Sequence, residues 1–131
     1  DPTAYEALSL IEKEEDTLRA FRPIVFICSP YAGAIEKNIM AAQSYCRFAV
    51  EMGFIPIAPH LLCPQFLNDT DPKERELGLF FGTVLMSKCA EVWVFGEKVS
   101  AGMAKEIEKA EKRGMRIRWF NSKYEEVTQY E

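Results

Sequence analysis

The stretch Ile24-Val25-Phe26-Ile27-Cys28, running into Ser29-Pro30-Tyr31-Ala32-Gly33, decides the fold. Five consecutive apolar residues without polar alternation suit a strand buried on both faces, as strands are in parallel sheets covered by helices on each side. Pro23 breaks the pattern before it, and the serine, proline and glycine after it are turn formers. Glu91-Val92-Trp93-Val94-Phe95 repeats the pattern as a third strand, with Trp93 expected in the core. Phe54-Ile55-Pro56-Ile57-Ala58 is the second strand, placed at an edge because Pro56 cannot donate to a ladder. Met115 to Phe120 is the fourth, and a short polar tail follows.

Helical spacing fills the intervals. Ile39, Ala42, Tyr45, Cys46, Ala49 and Val50 recur at helical period, and Gly53 closes that helix. A long loop is expected from Pro59 to Thr70. Asp71-Pro72-Lys73-Glu74 then opens a helix to about Lys88, with an acidic N-cap, proline at the first helical position and a reciprocal glutamate at N3. Ser100 caps a further helix to Arg113, closed by Gly114. Ahead of all this, Ala4 to Ala20 read as a helix bearing Tyr5, Leu8, Ile11 and Leu18, interrupted by Glu12, Glu14, Glu15 and Asp16. Such a helix packs weakly or against a partner.

Strands alternating with helices through right-handed crossovers give an α/β fold, a doubly wound, Rossmann-like parallel sheet of order 2-1-3-4. The expected organisation is an N-terminal helix over 1–22 and one domain over 23–131. The topological switch falls between strands 1 and 3, so a ligand is expected beyond their carboxyl ends, between the loops Ser29 to Gly33 and Gly96 to Gly102.

Composition narrows the function classes. With 131 residues, one core is expected. Cys28, Cys46, Cys63 and Cys89 stand singly in apolar segments beside a single histidine, which argues for reduced, buried thiols and against a metal site or disulfide framework. No signal peptide or membrane span is read, and a cytoplasmic location is expected. The net charge of −4, with both signs interspersed, argues against nucleic-acid binding and for a small-molecule partner. The chain opens at Asp1 without a methionine, as a trimmed chain or a fragment would.

The candidates for chemistry sit in the two crevice loops. Ser100-Ala101-Gly102-Met103-Ala104-Lys105-Glu106 starts a helix at the switch point, where free N–H groups attract an anion, and Gly102 allows close backbone approach. Glu106 lies one turn on, at the border of the apolar stripe, either partly buried and functional or an ordinary surface partner of Lys109. Ser100 serves equally well as nothing more than an N-cap, and Ser29 to Gly33 as an ordinary turn. His60, just past the second strand, is within reach of a ligand, although such a histidine is more often structural. Dinucleotide-binding, P-loop and nucleophile-elbow motifs are absent.

The first strand followed by Ser-Pro-Tyr, and the apolar third strand followed by Ser-x-Gly-x-x-x-Glu, resemble the nucleoside 2-deoxyribosyltransferase superfamily, over Phe26 to Phe120. The motif also resembles that of deoxynucleoside 5′-monophosphate N-glycosidases. The resemblance implies that Glu106 is the nucleophile attacking the anomeric carbon and that Ser100 helps hold a phosphate. It also implies that Ser29, Tyr31 and Gly33 line the pocket, that no cofactor is needed, and that the chain is a homodimer or larger, with a neighbouring subunit able to complete the site. One departure stands out: the aspartate usual in the helix before the third strand is missing, because Phe80 to Met86 contains no carboxylate. Asp71, Glu74 or Arg75 are the nearby substitutes. Three readings therefore remain open: an N-glycosidase or deoxyribosyltransferase, a non-catalytic module sensing a nucleotide-derived signal such as an ADP-ribose compound, or a subunit whose acidic helix docks a partner.

Overall fold

The computed structural model describes residues 2–129. Its sheet has five strands in the order β2-β1-β3-β4-β5: Ile55–Ile57, Ile24–Cys28, Glu91–Phe95, Arg116–Phe120 and Glu126–Val127. The first four run parallel in the expected 2-1-3-4 order, with Cys28 beside Val94 in the centre. The two continuous apolar runs are the two central strands, and Val25 to Cys28 and Val92 to Phe95 are fully buried. Burial on both faces explains why neither strand alternates. β2 is an edge strand, where the missing N–H of Pro56 removes no internal ladder bond.

β5 corrects the expected polar tail. It pairs antiparallel with β4, so the sheet is mostly rather than wholly parallel. Arg118 holds it with two bonds to Glu126, at 2.8 and 3.1 Å, while its guanidinium lies 5.0 Å from the Trp93 ring centre and reaches Glu91 at 3.6 Å. Planar forks of this kind pair carboxylates in a fixed geometry.

The helices are α1 (Pro2–Leu18), α2 (Ile35–Glu51), α3 (Pro59–Leu62), α4 (Pro72–Ser87) and α5 (Ala101–Lys112). α3 and a 3-10 turn at Cys63–Gln65 occupy much of the expected loop. One face of the sheet packs Phe26, Cys28, Val92 and Val94 with Met86 of α4 and Met103, Ile107 and Ala110 of α5. The other packs Val25, Ile27, Trp93, Phe95 and Phe120 with Ala49, Tyr45 and Phe48 of α2. Tyr45 stacks on Phe95 at 4.4 Å and Phe95 on Phe120 at 5.1 Å. Each large side chain buried in this way contributes about 1.5–3 kcal/mol.

Asp71 caps α4 as expected, accepting from the Lys73 N–H at 3.0 Å. The reciprocal half of the capping box does not form: Glu74 accepts from the Asn68 N–H instead, at 3.3 Å. From Thr3 to Leu18 every described residue of α1 is exposed apart from a half-buried Ser9. All four cysteines are free thiols. Among the described residues no helix is long and apolar enough to cross a membrane.

Candidate functional site

The parallel pairing of β1 with β3 brings the loops 29–33 and 96–100 to the same end of the sheet. They touch: Gly96, at φ +106°, lies so close to Pro30 that a Cβ there would meet the proline ring at 3.5 Å. That contact is of ordinary van der Waals length, so it is the positive φ that favours glycine at 96. Asn38 of α2 donates through Nδ2 to the carbonyls of Tyr31 and Ala32, at 3.0 and 3.1 Å, and fixes the loop shape. Asn38 was not among the residues the sequence singled out, because a bond seven residues back to a carbonyl leaves no pattern.

Around this loop every polar side chain is paired. Ser29 is buried, and its Oγ lies 3.2 Å from Nε2 of His60, at the start of α3. Burial pushes the His60 imidazole down to about 4, so it is neutral at ordinary pH. The Tyr31 ring centre lies 5.6 Å from that of His60, and its hydroxyl donates to Asp69 Oδ2 at 2.6 Å. That bond, with burial and the carboxylate charge, pushes the phenol up to about 12. Tyr31, Asp69 and Glu74 also edge an open cleft of about 550 Å³ formed with residues 64–68. Asp69 was not anticipated either, since it is exposed in a connection whose sequence shows no period.

Glu106 is different. It projects from the second turn of α5, half-buried, and among the described residues its carboxyl makes no hydrogen bond or ion pair. Burial pushes it up to about 8, against the opposing effect of the Lys109 charge. Burial, together with the charge of Glu106, raises the thiol of Cys28 at the end of β1, and that thiol points at the Met103 carbonyl, 3.8 Å away. Glu106 therefore faces the end of β1, one residue from Ser29. Lys109 bonds to Thr83 Oγ1 at 2.8 Å and acts on Glu106 through its charge alone.

Ser100 accepts from the Met103 N–H at 3.3 Å as an N-cap and remains exposed. Gly33 and Gly102 are exposed with nothing within 4 Å of a Cβ position, so both leave open space beside the crevice. The side-chain bond of Ser100 stays within its own helix. Asp71 and Glu74 hold the entry to α4, while further along the helix Gly82 packs on Pro59 and Thr83 receives both Lys109 and Arg113.

The fold is similar to that of the 2-deoxyribosyltransferase from the psychrotolerant bacterium Bacillus psychrosaccharolyticus, with a TM-score of 0.59 and 14% identity, over 75% of this chain and 72% of that one. At that identity the likeness is one of fold. No curated protein matches the chain. The two apolar central strands, the crevice loops and the helix bearing Glu106 all fall within residues 23–120, which match the model of a domain of unknown function, DUF7768, and the chain belongs to that family.

Proposed function

We propose that the crevice binds a nucleoside or nucleotide and that Glu106 attacks its N-glycosidic bond, as an N-glycosidase or a 2-deoxyribosyltransferase. The observation that carries this reading is the unpaired carboxyl of Glu106, half-buried at the ends of β1 and β3 and held near 8 by burial. The similar fold of a 2-deoxyribosyltransferase supports it. In the reaction, the ionised carboxylate adds to the anomeric carbon while the C–N bond breaks and its electron pair leaves with the base. Water, or a second base, then displaces Glu106 with overall retention. Ser29, Tyr31, Gly33, His60, Ser100 and Gly102 bound the space the substrate would fill, and Ser100 with the free N–H groups of α5 suits a sugar hydroxyl or phosphate. The nucleophile must be ionised, so turnover by the free enzyme rises with pH through an apparent pKa of about 8.

A second reading, a module that binds a nucleotide-derived ligand without chemistry, is favoured by one observation. The α4 position that would supply a second carboxylate holds Gly82 and Thr83, and Thr83 is engaged by Lys109 and Arg113. Incubation with deoxynucleosides, deoxynucleotides and NAD-derived nucleotides, followed by chromatography, separates the two. Free base, lost in Glu106→Gln, supports catalysis. Intact ligand retained through gel filtration without free base supports the binding module and removes the catalytic reading.

A further inference from the structure

α1 is a 17-residue helix whose apolar residues are left uncovered by the described residues: Leu8, Ile11 and Leu18 are 61, 50 and 79% exposed. A lone helix of this length is marginal in water, so an uncovered apolar stripe on one points to a surface that completes it. A second stripe of the same kind lies on α4, a helix of 16 residues. Its inner face packs on the sheet side through Met86, whereas Leu77, Phe80 and Val84, spaced for one outer face, are 43, 61 and 41% exposed. With α1 in place these three residues stay uncovered, so α1 does not serve its own α4.

The two stripes are matched in length and opposite in charge. At 1.5 Å per residue each helix is about 25 Å long. Around the stripe of α1, Glu12, Glu14 and Glu15 are all exposed, and Lys13 and Arg19 are the nearby bases. The stripe of α4 runs from Lys73 to Lys88, and Lys109 and Arg113 lie over its edge through their bonds to Thr83, against one exposed carboxylate at Glu76. We infer that the chain pairs with a second copy of itself, α1 of each copy lying along the outer face of α4 of the other. The contact is self-complementary and closes under a two-fold axis. Six half-exposed apolar side chains from each copy supply on the order of 1,200 Å² of apolar surface, about what the apolar two thirds of a ~1,600 Å² interface requires. This pairing rests on the outer helix faces and is independent of the reading of the crevice.

Sedimentation and light scattering on the full chain, with Ile11→Glu and Phe80→Glu alongside, test it. Both residues are exposed, and circular dichroism of each variant checks that it is folded. The expected result is a dimer for the full chain, weakened by salt, and at least a hundredfold weaker association for each variant alone. Mixing the two variants recovers part of the association, because one intact α1 then meets one intact α4. A monomeric full chain overturns the inference, as does a dimer lost in Phe80→Glu but kept in Ile11→Glu, which would mean that α4 pairs with α4 and leaves α1 for another partner.

Discussion

The two sides of the crevice are built on opposite principles. On the β1 side, Ser29, His60, Tyr31 and Asp69 form a chain of contacts, Ser29 Oγ meeting His60 Nε2 and the Tyr31 hydroxyl donating to Asp69 Oδ2. On the α5 side, Glu106 has its carboxyl in a half-buried position with no bond among the described residues. A paired network fixes shape, whereas a half-buried carboxyl without a bonding partner is open to whatever enters. Under the proposed function the first side is the wall of the site and the second its reactive part.

Substitutions that exchange these properties are the means to break that contrast. The largest effect is expected for Glu106→Gln, which removes the nucleophile and leaves the shape: base release falls by a factor of about 10³ or more, measured by chromatography, with melting temperature unchanged or raised. A fall of less than tenfold would place the reactive group elsewhere.

The same substitution sharpens the contrast through stability. The folded carboxyl is raised to about 8 from 4.5, so its stabilising contribution is complete below 4.5 and is lost as pH rises through 8. Denaturant titrations should therefore show Glu106→Gln gaining on the parent chain by up to about 1.4 kcal/mol for each pH unit in that window. A gap independent of pH would contradict a half-buried, unpaired carboxyl.

His60 tests the other wall with the reverse sign. Its folded value is depressed to about 4 from 6.5, so its contribution is present above 6.5 and is lost as pH falls through 4. The parent chain should lose up to about 3 kcal/mol across that interval relative to His60→Gln, followed by urea unfolding at several pH values. Equal slopes for the two proteins would mean that the imidazole is solvated.

The smallest effect is expected at the rim. Tyr31→Phe deletes the 2.6 Å bond to Asp69 where both partners reach solvent, and should cost about 0.5–1.5 kcal/mol in the same assay. It should also change ligand affinity less than Glu106→Gln changes turnover. A loss of base release as large as that of Glu106→Gln would move Tyr31 from the wall into the chemistry.

How much of this was legible in the sequence follows from the physics of each element. β1 and β3 could be read to the residue because burial on both faces leaves an uninterrupted apolar run, and the switch point followed from their order. β5 could not, because Glu126–Val127 owes its pairing to the Arg118 fork and to a turn in which Tyr124 adopts φ +62°, neither of which has a periodic signature. Glu106 was visible as a carboxylate at the margin of an apolar stripe, but its lack of a partner depended on Lys109 turning toward Thr83, a contact across 26 residues. Asp69 and Asn38 were invisible for the same reason: each acts through one tertiary bond from a segment without pattern.

The most direct measurement is a carbon-detected NMR titration of the Glu106 side-chain carboxyl, assigned by its loss in Glu106→Gln, in the free chain and with a deoxynucleotide added. A midpoint near 8 in the free chain that shifts on addition of the nucleotide is the predicted result. A midpoint near 4.5 that no nucleotide moves would mean a solvated surface glutamate, and the reactive side of the crevice would have to be sought elsewhere.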